Sequence, residues 1–73
     1  MSIVESFKEE YLKEARKLLS GYPTELQIFE DQWKAGNYRA AYLTVDHSVR
    51  NFGLALTEEA RRADEDFYWG VVH

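Results

Sequence analysis

Along this 73-residue chain, apolar residues recur at steps of three and four in four separate stretches, divided by glycines and a single proline. Val4, Phe7, Tyr11, Ala15 and Leu18 form the first stripe, widened by Leu12 and Leu19. That spacing predicts a helix with one buried face. Glu9, Lys13 and Lys17 occupy the opposite face, with Glu9 and Lys13 a favourable i,i+4 pair. Ser2-Ile3-Val4-Glu5 reads as a capping box, and Ser6-Phe7-Lys8-Glu9 offers a second start one turn later. Gly21 is a natural residue just past the helix end, and Pro23 supports the stop.

A second helix opens at Thr24, where Thr24-Glu25-Leu26-Gln27 is another capping-box pattern. Leu26, Phe29 and Trp33 line one face, and Gly36-Asn37 ends it. In the third helix, from Tyr38 to Phe52, the residues Tyr38, Tyr42, Val45, Val49 and Phe52 make the seam of a helix packed on another. Gly53 closes it. The fourth begins at Thr57 and turns Leu56, Ala60, Ala63 and Phe67 inward, the two alanines suiting a close crossing. Gly70 is expected to end it, leaving Val71-Val72-His73 as a tail. The pattern predicts an all-α bundle of three to four short helices forming one domain over residues 1–73. Phe7, Tyr11, Phe29, Val45, Val49 and Phe52 are its expected core.

The stretch Lys34-Ala35-Gly36-Asn37-Tyr38-Arg39-Ala40-Ala41 resembles the inter-helix turn of a tetratricopeptide repeat. There a Gly-Asp/Asn-Tyr turn leads to a small residue on the next helix. The preceding helix departs from that pattern, with Phe29 and Gln32 where a small residue and a Tyr belong. One repeat cannot bury its own face. The resemblance implies a tight αα-hairpin between helices two and three, and not family membership.

A chain of this size buries only roughly 60 % of its unfolded surface and needs support beyond an ordinary core. With no cysteine, disulfides and thiolate metal sites are excluded. Aromatic packing, a partner or homodimerisation remain. Freedom from cysteine also fits a cytoplasmic protein.

Thirteen acids against nine bases give a net charge of −4. Residues 54–73 hold five acids and two bases, so the negative charge gathers in the C-terminal third. Direct nucleic-acid binding is disfavoured, because neutralising phosphates takes a basic face. No apolar run approaches the roughly 18 residues of a membrane span. The opening segment turns charged too soon for a secretory signal.

Asp46-His47-Ser48 has the residue types of a catalytic triad in consecutive positions. Successive helical side chains diverge by about 100°, so the three cannot line up as nucleophile, base and orienter. His47 has Leu43 and Thr44 at i−4 and i−3, which gives it no metal-ligating neighbour on its face. No glycine stands in a phosphate-binding context. The expectation is a non-enzyme without cofactor or metal.

Eleven residues are aromatic, and Phe67, Tyr68 and Trp69 are consecutive. Three neighbours cannot share one helical face. Phe67 continues the inner stripe, which leaves Tyr68 and Trp69 for a binding surface beside Asp64, Glu65 and Asp66. Tyr and Trp dominate interface hot spots, and acids there suit a basic partner. A second expected patch is the edge of helices two and three around Trp33, Tyr38 and Tyr42. The resulting expectation is a small non-catalytic protein that binds, and regulates or inhibits, a partner with a basic or aromatic-accepting surface. Small size, acidity and lack of cysteine resemble phage-encoded inhibitors of host machinery, anti-CRISPR proteins among them. The alternative is an acidic nucleic-acid mimic that blocks a DNA- or RNA-binding protein. A small enzyme or enzyme subunit is the weakest reading.

Overall fold

The computed structural model describes residues 3–73. The Ser2 half of the first capping box lies outside them. Four α-helices follow in order, α1 (Ile3–Leu18), α2 (Pro23–Lys34), α3 (Tyr38–Phe52) and α4 (Glu58–Phe67), and α4 runs on into a π-helical segment, Tyr68–Val72. Helix α1 is already formed at Ile3, so Ser6 lies within its first turns rather than at its start. It ends at Leu18, and the turn is closed by Tyr22 N donating to Leu19 O at 2.9 Å.

Helix α2 starts two residues earlier than the Thr24 cap predicts. Tyr22 is the capping residue without a side-chain cap bond, and Pro23 is the first helical residue. Proline suits that position because its fixed φ is already helical and its missing N–H would have no partner there. The α2–α3 turn is a Schellman closure. Gly36 has φ 76°, its N donates to Trp33 O at 3.0 Å, and Asn37 N donates to Gln32 O at 2.9 Å. Gly53 closes α3 in the same left-handed conformation at φ 63°. Thr57 Oγ1 caps α4 by accepting from Ala60 N at 3.0 Å.

The C-terminus differs from the expected tail. Winding continues through Gly70, and His73 N donates to Tyr68 O at 2.7 Å. Gly70 lies directly against the Phe7 ring, where a Cβ would overlap Cδ2 and Cε2. Glycine here permits close packing instead of terminating a helix, and Val71 and Val72 pack onto the core.

Helix α2 pairs with α3, α1 pairs with α4, and the π-helical segment touches α1 and α3. The result is an all-helical bundle measuring 32 × 27 × 18 Å. Alanines 15, 41, 60 and 63 are buried where the paired helices approach. The wider space between the two pairs is filled by aromatic rings. Tyr11 contacts Phe29 and Trp33, and Trp33 contacts Phe67. Tyr11, Phe29 and Val45 are core, as their spacing predicts, while Phe7 and Val49 are half-buried. Phe52 is not core: it is 43% exposed at one end of a groove between α2 and α3, where it stacks on Tyr22 at 4.3 Å. Leu56 and Val4 are likewise exposed at element ends. Among the described residues no helix is long and apolar enough to cross a membrane.

Candidate protein-binding surface

A depression of about 410 Å³ runs between α2 and α3. Helix α3 contributes Ala40, Leu43, Thr44, His47 and Asn51, and α2 contributes Glu25, Ile28 and Gln32, with Phe52 at one end. The α3 set is a second helical stripe, turned about 100° from the buried one that holds Ala41, Val45 and Ser48. Helix α3 thus spends one face on the core and turns a mixed one, Leu43 and Ala40 among Thr44, His47 and Asn51, to the groove. Ile28 is 46% exposed, Leu43 44% and Phe52 43%. Three large apolar side chains around one groove form a patch rather than scattered single residues. The floor is fixed across the helix pair by Thr44 Oγ1, which lies 2.6 Å from Gln32 Oε1 and can donate to it.

Leu43 also lines a second depression of about 260 Å³, with Arg39, Tyr42, Tyr68, Val72 and His73. The two hollows meet at that one side chain. Above the second stands Trp69, 62% exposed, with its ring against Tyr68 at 5.1 Å and His73 at 4.6 Å.

The expected site residues separate into three groups. Tyr68 is half-buried on Tyr42, and Trp69 projects to solvent. Glu65 and Asp66 are exposed, whereas Asp64 turns toward the bundle and is half-buried. Burial, then the Asp46 charge, then Glu65, push its carboxyl up to about 6. The expected edge around Trp33, Tyr38 and Tyr42 is not a free edge. Trp33 stacks on Tyr11 and Phe67, and Tyr38 is half-buried with Lys8 Nζ 4.7 Å over its ring. The two helical stripes that marked them, on α2 and on α3, face the core. Ile28, Leu43 and His47, which line the α2–α3 depression, were not among the expected site residues; Ile28 and Leu43 stand out in the sequence only as large apolar residues outside their helices' main stripes.

Asp46, His47 and Ser48 point apart. Asp46 pairs with Arg50 at 3.4 Å, His47 is exposed in the groove, and buried Ser48 donates to Thr44 O at 2.9 Å. The described residues contain no group of three or more His, Cys, Asp or Glu placed to hold a metal. No protein-family model matches the chain, and neither a curated protein nor a solved structure was found to be similar to it.

Proposed function

We propose that this is a small non-catalytic protein-binding module that regulates or inhibits a larger partner, and that the α2–α3 groove is its main contact. The observation that carries the reading is the groove between α2 and α3, around which Ile28, Leu43 and Phe52 are all exposed. Exposing Ile28, Leu43 and Phe52 together is unfavourable for an isolated chain and favourable once covered. Hydrogen bonding across the groove floor holds its shape before a partner arrives, which lowers the ordering cost of binding. The hollow has the dimensions to accept the apolar face of a helix or an extended segment. Tyr68 and Trp69 extend the contact past Leu43, the aromatic ring supplying an anchor.

The acid-rich surface of α4 favours this over a nucleic-acid mimic. Arg61 bridges Glu58 at 2.9 Å and Glu65 at 3.3 Å, and Arg62 approaches Glu58 at 3.8 Å. Bases are thus woven through the acids, where a phosphate mimic needs an unbroken row of charge. Affinity capture from the native host, comparing the wild-type chain with Leu43→Asp and with Glu65→Lys/Asp66→Lys, tests the reading. Leu43→Asp should release the partner with helicity unchanged, and the acid reversals should leave capture within a few-fold at physiological salt. The opposite pattern favours the mimic.

A further inference from the structure

The hollow beyond Leu43 is basic where most of the surface is acidic. About 260 Å³ in volume, it is lined by Arg39, Tyr42 and Leu43 of α3, by Tyr68 and Val72 of the π-helical segment, and by His73. None of the six is acidic, in a chain with thirteen acids and nine bases. Arg39 is exposed and, among the described residues, enters no ion pair. The other four arginines each reach a carboxylate. Arg16 meets Glu30 at 2.7 Å, Arg50 meets Asp46 at 3.4 Å, Arg61 meets Glu58 at 2.9 Å, and Arg62 meets Glu58 at 3.8 Å. Nor does its helix account for Arg39, which lies in the first turn of α3, where the backbone dipole favours an acid and none is present. A guanidinium is a fork of N–H donors shaped for a carboxylate, and the described residues offer this one none.

The walls of the hollow specify the rest of the ligand. The Tyr42 and Tyr68 rings are tilted at 45° with centroids 5.4 Å apart, and Leu43 and Val72 add aliphatic surface. A third ring packs on such walls edge-to-face or offset. The volume lies below the roughly 300 Å³ at which small-molecule pockets begin, so it suits one large side chain rather than a cofactor. We infer that this hollow is a binding site for an aromatic residue beside a carboxylate, the ring against Tyr42, Tyr68 and Leu43 and the carboxylate accepting from the Arg39 guanidinium. Leu43 also borders the α2–α3 groove, so the segment of the partner that fills the groove presents this pair. To that extent the inference rests on the partner-binding reading, and it gives that segment an acidic, aromatic end.

The test is a two-dimensional NMR titration of the full chain at neutral pH and constant ionic strength with N-acetyl-phenylalanine. Of two comparison compounds, N-acetyl-phenylalanine amide removes the charge and N-acetyl-alanine removes the ring. N-acetyl-phenylalanine should shift the backbone signals of Arg39, Leu43, Tyr68 and Val72 saturably, and both comparison compounds should bind at least fivefold more weakly. Arg39→Gln should weaken binding of the acid fivefold or more and leave the response to the amide unchanged. Lys13→Gln, which removes the same charge from an exposed site on α1, should stay within twofold of wild type. Equal responses to acid and amide, an equal loss in Lys13→Gln, or shifts that never saturate or lie on other surfaces each overturn the assignment. No partner enters this titration, so its failure strikes the hollow alone, whereas failure of affinity capture with Leu43→Asp strikes the groove.

Discussion

The Phe67 and Tyr11 rings lie 4.1 Å apart, centroid to centroid, with their planes 7° from parallel, and so pin α4 to α1. Trp33 of α2 closes the cluster, 5.4 Å from Phe67 and 6.1 Å from Tyr11. One ring of the consecutive aromatic run is therefore the hub of the core. The next, Tyr68, is half-buried, and the third, Trp69, faces solvent. Phe67→Ala removes a fully buried ring shared by three helices and should cost about 3–5 kcal/mol. Phe52→Ala, at a half-exposed ring on Tyr22, should cost about 1 kcal/mol. Urea unfolding followed by circular dichroism measures both.

Gly70 against Phe7 gives a sharper stereochemical test. Gly70→Ala places a methyl group within the Phe7 ring and should destabilise by about 1–3 kcal/mol through overpacking. Phe7→Ala frees that space, so the double variant should be more stable than the sum of the two single losses predicts. Strict additivity in a double-mutant cycle would show that the two do not touch.

Stability should depend on pH through Asp64. In the fold its carboxyl is raised from 3.8 to about 6. Between those values the folded chain binds more protons than the unfolded one, so this group's contribution is most favourable below pH ~4 and is lost as pH rises through about 6. About two units at about 1.4 kcal/mol each set a ceiling of about 3 kcal/mol, lowered in practice by the solvent that reaches a half-buried carboxyl. The groups facing it are Asp46 with Arg50 on α3, Tyr42 beside them, Tyr11 on α1 and Glu65 on its own helix. Asp64→Asn should raise the melting temperature at pH ~7.5 and leave it nearly unchanged at pH ~4. Melting curves across that range decide it.

Helix number, the hairpin of α2 and α3, the end of α3 and the start of α4 are legible in the residues themselves, because Gly36, Gly53 and Thr57 do local chemistry that neighbours cannot override. Pro23 outcompetes Thr24 at the start of α2, again for a local reason. Gly70 misleads because its role comes from Phe7, 63 residues away in sequence and across the fold. The groove is hard to read for a related reason. Leu43 and Ile28 look like stray apolar residues until α2 and α3 are laid side by side.

Trp69 separates binding from folding. Exposed on all but its Tyr68 and His73 contacts, it can be replaced by alanine with a change in stability of about 0.5 kcal/mol or less. Partner affinity should fall by about 2 kcal/mol if the ring anchors the extended contact. Thermal melts and binding measured on the same preparation compare the two effects.

Site-specific photo-crosslinking in the native host puts the groove itself to trial. A photoreactive residue at His47, within the α2–α3 hollow, should yield a covalent adduct to one protein, an adduct that disappears with Leu43→Asp. The same probe at exposed Lys13 on α1 should give none. A dominant adduct at Lys13 with none at His47, or an adduct at His47 only to a second copy of this chain, would contradict the assignment of the groove to a larger protein partner.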